Sequence, residues 1–284
     1  MGSNQSNQLR KVKAVVISDV HLGTYGCKAR ELNDYLRGIQ PEILVLNGDI
    51  VDVWRFSKSY FPADHFMTLR IILAMMAKGT VVYFIPGNHD EALRRFAGTV
   101  AGNFHVVNKL VLTLDGQKSW IFHGDVFDVV MQNARFIAKL GASGYGFLIL
   151  LNKAVNFFMK MMGQSRISLS RKIKNAVKGS GSMITKFERT VADIAISKGY
   201  QYVICGHIHR PAYKVIANSL GSVTYLNSGD WVEHFSALEY ENGYWNLIVH
   251  DATTEVQVPK AGEVNFSGTE KELYAAMLND ILAD

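Results

Sequence analysis

Only two cysteines, Cys27 and Cys205, occur in 284 residues. Neither stands in a pair spacing that a disulfide framework or a zinc site requires, so both are expected to be small buried hydrophobes. The start of the chain lacks a charged-then-apolar leader with a small-residue cleavage site; residues 1–10 are polar and predict a disordered arm, with the protein in the cytoplasm. Acid is scarce in one place above all. Residues 126–186 hold ten Lys or Arg and a single acidic residue, Asp128, which puts about +9 in one segment of a chain whose formal net charge is +5. No apolar run is fit to span a bilayer: the greasiest stretch, residues 145–162, contains Asn152, Lys153, Asn156 and Lys160, and lysine at the bilayer centre is costly. It predicts a pair of amphipathic helices instead. Internal repeats and low-complexity segments are also missing.

What is present is a set of short, β-rich apolar runs at residues 14–17, 43–46, 81–85, 120–122 and 202–205, bounded by turn residues as buried strands are. Helices are predicted near residues 28–38 and 64–77, with a short one over 91–96. A strand pair follows over 106–114 and 118–122, turned at Asp115-Gly116. After the basic, apolar segment, a helix over about 183–198 leads to the strand at 202. Further strands are expected at 212–217, 223–227, 234–240 and 244–249, with Asn242-Gly243 as a tight turn, and a terminal amphipathic helix at 269–282. The length suits one domain with an insertion better than two domains. The expected boundaries are an arm at 1–10, a domain at 11–250 interrupted by a helical insertion at 126–186, and a tail at 251–284.

Each of the five apolar runs at residues 14–17, 43–46, 81–85, 120–122 and 202–205 is followed by a residue that can bind metal. Asp19-Val20-His21 leaves the first and Asn47-Gly48-Asp49 the second. Pro86-Gly87-Asn88-His89-Asp90 leaves the third and His123-Gly124-Asp125 the fourth, and Cys205-Gly206-His207-Ile208-His209 closes the set. Singly, most of these are ordinary caps or turns. Jointly they matter, because loops beyond the carboxyl ends of strands in an open α/β sheet converge on one crevice. A mixed carboxylate, amide and imidazole set suits Mn, Fe, Zn or Co better than Mg. His89 followed by Asp90 offers an imidazole with a carboxylate able to hold it in one orientation, as general acid catalysis needs.

Five such blocks in the order D-x-H, G-D, G-N-H-D, H-G-D, G-H-x-H resemble the calcineurin-like metallophosphoesterase superfamily over residues 11 to about 250. The resemblance implies an α/β fold, a four-layer sandwich of two mixed β-sheets flanked by helices, with a helical cap insertion. It also implies two divalent ions, Mn²⁺ by preference, one held by Asp19, His21, Asp49 and His209 and the other by Asp49, Asn88, His123 and His207. His89 and Asp90 would be the catalytic pair. Three blocks carry a closer likeness to the UDP-2,3-diacylglucosamine diphosphatases of lipid A biosynthesis: residues 47–54, the insertion directly after His123-Gly124-Asp125, and residues 205–211. Many members of that family have Arg where this chain has His89.

The family resemblance implies a lipid-linked sugar nucleotide as substrate. In that family the insertion is a cap, in which Phe157 and Phe158 would meet acyl chains, while Arg135, Arg166, Arg171 and Lys172 would meet diphosphate or anionic lipid. Peripheral association with the inner face of the membrane is expected, nucleic acid is not, and no protein partner can be inferred. The alternatives are a generic phosphodiesterase, phosphatase or nuclease of the same superfamily, or a non-catalytic scaffold.

Overall fold

The computed structural model describes residues 9–53, 60–125 and 180–250. Of the cap predicted over residues 126–186, residues 126–179, with Arg135, Phe157, Phe158, Arg166, Arg171 and Lys172, lie outside the described residues, as do the tail and its predicted helix. Two compact units are present, one of residues 1–124 with 188–284, the other of residues 125–187. The first carries all seven predicted metal ligands and His89.

Its elements run β1 (Arg10–Ile17), α1 (Ala29–Arg37), β2 (Ile39–Asn47), α2 (Ala63–Ala77) and β3 (Val81–Ile85), then a 3-10 helix at Glu91–Phe96. Next come β4 (Val100–Ala101), β5 (Phe104–Val106), β6 (Leu110–Leu114), β7 (Gln117–Ile121) and α3 (Ser180–Ser197). The chain continues through β8 (Tyr202–Cys205), β9 (Ala212–Asn218), β10 (Gly221–Asn227), β11 (Ser236–Glu241) and β12 (Tyr244–Val249). Seven strands form one sheet in the order β12-β11-β1-β2-β3-β5-β4, and five form a second in the order β6-β7-β8-β10-β9. Both sheets are mixed. β1, β2, β3 and β5 are parallel, as are β7, β8 and β10, while antiparallel strands close the edges.

Alternation along the strands sorts the side chains into two cores. Val15 and Ile17 of β1, with Leu44, Leu46, Val82 and Phe84, meet Leu32 and Leu36 of α1 and Ile72 and Met75 of α2. Ala14 and Val16 point the other way, where with Val45 and Ile85 they meet Leu112, Ile121, Ile204 and Leu226 of the second sheet. Strand segments buried on both faces are apolar, which is why β1 from Ala14 and β2 from Ile43 lack polar alternation, while Lys11, Lys13, Gln40 and Glu42 stand in their less buried first halves. On α1, Leu32, Tyr35 and Leu36 are buried while Arg30, Asp34 and Arg37 stay in water. Buried Asn33 ties α1 to α2: its amide donates to the Asp64 carbonyl at 2.9 Å and its oxygen accepts from Thr68 Oγ1 at 2.8 Å. On the second sheet, α3 is joined to β9 by Lys214 to Glu188 at 2.7 Å and Asn218 to Asp193 at 2.6 Å.

The single strand predicted over 106–114 is two strands in different sheets. Val106 ends β5, which pairs with β3, and the chain then crosses to begin β6 at Leu110, which pairs with β7. Only Asn108-Lys109 separates the two apolar halves at the crossing, and so short a polar break does not by itself show that the strands belong to different sheets. The strand predicted from residue 234 starts at Ser236, because a turn occupies the residues before it.

Cys27 and Cys205 are both buried and free. Burial pushes the Cys27 thiol up to about 12 and the Cys205 thiol well above its ordinary value. Since the thiolate is the reactive form, the native protein at pH 8 is expected to react slowly with an aromatic disulfide reagent. Two thiols per chain should then appear at once when denaturant is added. Fast reaction of either thiol in the native state would contradict this packing.

Candidate metal centre

The five strand-end blocks come together at the carboxyl ends of β1, β2, β3, β7 and β8. Backbone hydrogen bonds stitch the tips: the N–H groups of Val20 and His21 donate to the Asp49 carbonyl, both at 2.9 Å, and that of Gly206 to the His123 carbonyl at 2.9 Å. Side chains join the sheets. Asn47 Nδ2 donates to the Phe122 carbonyl at 3.2 Å, and His123 Nδ1 lies 2.7 Å from the Asn47 carbonyl. That last contact turns His123 Nε2 toward Asp49 Oδ2, 3.4 Å away.

Three overlapping groups of ligand atoms result: Asp19, His21 and His209; His21, Asp49 and His89; Asp49, His123 and His207. Within each, the ligand atoms lie within 4.8 Å of one another. His21 links the first group to the second, and Asp49 links the second to the third. Asn88 rides on the loop that wraps Asp49: the next residue, His89, donates its N–H to Asp49 Oδ1 at 2.8 Å. All seven predicted ligands therefore lie on loops of one site.

The backbone is bent to achieve this. Asp19, His21, Asp49, His207 and His209 have φ between 53° and 63°, the left-handed region that non-glycine residues rarely enter. Such conformations cost of order 1–3 kcal/mol each and cluster where function imposes them. Glycines provide the remaining room. A Cβ on Gly87 would lie 2.3 Å from Asp49 Oδ1, one on Gly48 2.3 Å from the His123 ring, and one on Gly206 2.6 Å from Ser18 Oγ.

The electrostatics call for a cation. Asp19, Asp49, Asp52 and Asp230 are all buried. Burial would raise the Asp49 carboxyl, but His123 and the His89 N–H outweigh it and hold it below the usual carboxylate range. Burial lowers His21 against the pull of Asp49 and Asp19, which favours the neutral imidazole that ligates metal. His209 goes the other way: burial is outweighed by Asp19 and Asp230, and it is pushed up to about 10. Two carboxylates thus demand positive charge at that position, which a divalent ion would supply. The donor set and the glycine-lined cradle both fit such an ion.

One predicted pairing is corrected. Asp90 does not orient His89; its carboxylate accepts the backbone N–H groups of Gly87 at 2.6 Å, Ile50 at 2.8 Å and Asp49 at 3.3 Å. It is the brace between the second and third loops, and burial raises its carboxyl against those donors. The carboxylate beside His89 is Asp52, whose Oδ2 lies 2.9 Å from His89 Nδ1, in ion-pair contact but out of line for a hydrogen bond. The same oxygen is 3.4 Å from His21 Nδ1. Sequence proximity favoured Asp90; the available signal for Asp52 was its place three residues after Asp49 on the same strand-end loop. Among the described residues no helix is long and apolar enough to cross a membrane.

Gly87→Ala tests the cradle, since its Cβ meets Asp49 rather than solvent. The variant should lose metal uptake at Asp49 while far-UV circular dichroism stays that of the wild type. Unchanged metal content by elemental analysis would contradict the geometry.

Comparison with known proteins identifies the family. The sequence profile of the Calcineurin-like phosphoesterase family matches residues 12–211. A UDP-2,3-diacylglucosamine hydrolase of Aeromonas salmonicida (strain A449) is 27% identical over 247 residues, covering 83% of this chain and 92% of that protein. A protein of the same name from Aliivibrio fischeri (strain MJ11) is 27% identical over 238 residues, covering 81% and 95%. Among solved structures, Yfce, a phosphoesterase from E. coli, aligns with 85% of this chain and 94% of its own at 13% identity and a TM-score of 0.40. Since the profile spans all five strand-end blocks in order, the chain belongs to the calcineurin-like phosphoesterase family.

Proposed function

We propose that this metal-dependent phosphoesterase hydrolyses the pyrophosphate bond of UDP-2,3-diacylglucosamine or a close analogue, releasing UMP and 2,3-diacylglucosamine 1-phosphate. The observation that carries the hydrolytic chemistry is the string of three ligand groups sharing His21 and Asp49, with five ligand residues held in left-handed conformations. Asp19, His21, Asp49 and His209 would hold one ion, Asp49, Asn88, His123 and His207 the other, and Mn²⁺ is the proposed metal. Two divalent ions there would activate water and neutralise charge on the phosphoryl group during in-line displacement.

The residues themselves supply position and a proton. Asp49 is shared between ligand groups and anchors both. His89 is a quarter exposed at its side chain, stands edge-on to His21 with ring centroids 4.7 Å apart, and has Asp52 beside Nδ1. With Nδ1 turned to Asp52, Nε2 would be the nitrogen that meets the substrate and protonates the departing oxygen.

The substrate rests on two supports: the name shared by relatives 25–27% identical, UDP-2,3-diacylglucosamine hydrolase, and the composition of residues 126–186. That segment joins about +9 charge to Phe157, Phe158 and neighbouring apolar residues. As a cap it would meet acyl chains with Phe157 and Phe158, and phosphates with Arg135, Arg166, Arg171 and Lys172. Its charge would draw the protein to the anionic inner face of a membrane, at about 1 kcal/mol per well-placed Lys or Arg. His89 favours a second reading, a phosphodiesterase of broader range, because the resemblance to the diphosphatases calls for Arg at that position and this chain has His. A panel of UDP-2,3-diacylglucosamine, its deacylated analogue, an aryl phosphodiester and single-stranded DNA separates the two. Preference for the acylated nucleotide supports the proposal, and equal turnover of the first three defeats it.

His89→Ala should keep its metal content and lose a factor of about 10²–10⁴ in kcat, the usual span for a general acid; loss of metal would make His89 a ligand instead. Replacing Phe157 and Phe158 by Ser should raise KM for the diacylated substrate and leave aryl phosphodiester hydrolysis nearly unchanged. Equal losses on both substrates would remove the acyl-binding role.

A further inference from the structure

The loop after β10 lies beyond the residues that the family profile matches, yet it reaches the site. It starts Ser228-Gly229-Asp230-Trp231 and leads into β11. Asp230 is 1% exposed. Its Oδ1 accepts three consecutive backbone N–H groups, from Val232 at 2.9 Å, Glu233 at 2.6 Å and His234 at 3.0 Å. This leaves Oδ2 for two imidazoles: His234 Nδ1 at 2.9 Å and His209 Nδ1 at 3.5 Å.

The loop is held against the ligands from several sides. Trp231 N–H donates to the Asp19 carbonyl at 3.1 Å. Ser228 Oγ lies 2.7 Å from Ser18 Oγ, and Ser18 Oγ donates to Asp19 Oδ2 at 2.5 Å. Gly229 has a φ of +71°, and a Cβ there would lie 2.0 Å from Ser236 Oγ and 2.6 Å from Pro211 Cγ. Asp230 is therefore fixed by its surroundings before His209 is considered.

His209 has a carboxylate at each ring nitrogen. Nε2 lies 3.2 Å from Asp19 Oδ1 and 3.2 Å from His21 Nε2, among the other ligand atoms, while Nδ1 faces Asp230. An imidazole that gives one nitrogen to an ion carries its proton on the other and donates it to an acceptor behind.

We propose that Asp230 is the positioning residue of the metal centre, holding His209 with its proton on Nδ1 and its lone pair on Nε2 toward the ion shared with Asp19 and His21. This rests on the metal-centre assignment above and extends the working site to a loop outside the family match. His234, more exposed, shares the same carboxylate oxygen and is a bystander to metal binding.

Asp230→Asn discriminates, because the amide oxygen can still accept the three backbone N–H groups while its NH₂ would face His209 Nδ1, donor against donor. That disfavours the tautomer needed for ligation. Chelator-stripped protein titrated calorimetrically with Zn²⁺ should take up two ions in the wild type. In Asp230→Asn the ion at Asp49, His123 and His207 should bind as before, and the other about 10–100-fold more weakly. The melting temperature of the metal-free protein should not move, and His234→Ala should leave both affinities unchanged. Wild-type affinities in Asp230→Asn would overturn the proposal, as would equal weakening of both sites with a lower melting temperature, which marks a merely structural role. Should Asp230→Asn fail to fold, two-bond ¹⁵N–¹H spectra of the Zn²⁺-loaded wild type decide. A proton on His209 Nδ1 supports the proposal and one on Nε2 overturns it. A wild type that binds no metal would instead overturn the metal-centre assignment itself.

Discussion

Asp49 is the residue to which the loops of the site are tied. Its carbonyl accepts the Val20 and His21 N–H groups of the first loop. Its own N–H goes to Asp90, and its Oδ1 accepts the His89 N–H of the third loop. Its Oδ2 faces His123 from the other sheet. A carboxylate taken out of water is costly unless it is paired and hydrogen-bonded, and these contacts provide that. They also force the backbone at Asp49 to a φ of 55°. The cost of that conformation is borne by the two packed cores on either side of the large sheet, which leave the strand tips little freedom to relax.

A hierarchy of carboxylates surrounds this pivot, each with a different task. Asp19 and Asp49 stand among the ligand atoms. Asp90 is spent wholly on backbone N–H groups and sets the distance between two loops. Asp52 faces the outer nitrogens of His21 and His89, and Asp230 does the same for His209 and His234 while also capping its own turn. Chemically identical groups thus become ligand, brace or imidazole orienter according to which donors reach them first. The groups these carboxylates face are imidazoles, and divalent ions would add the further positive charge that buried carboxylates call for.

Much of this was legible in the primary structure. Apolar runs buried on both faces announced the parallel strands, and a ligand-competent residue at the end of each announced a shared crevice, because parallel strands present their carboxyl ends on one side. The hidden parts have specific causes. The passage from β5 to β6 is marked only by Asn108-Lys109, and two polar residues between apolar runs do not tell whether the chain rejoins the same sheet or crosses to another. Asp52 and Asp230 follow strands as ordinary turn residues do, and nothing local distinguishes a carboxylate that caps a turn from one that also faces a distant imidazole.

Sequence alone determined which residues could bind metal, that they sit at strand ends, and the α/β class that gathers them, since all three depend on local composition and period. Tertiary structure decided which carboxylate serves which histidine. Asp90 adjoins His89 in the chain, yet its oxygens turn to the Gly87 and Ile50 N–H groups, and Asp52 takes the place beside the imidazole. The reason is directional: a hydrogen bond depends on where a donor points in space, and at these tightly turned strand ends neighbours in sequence point apart.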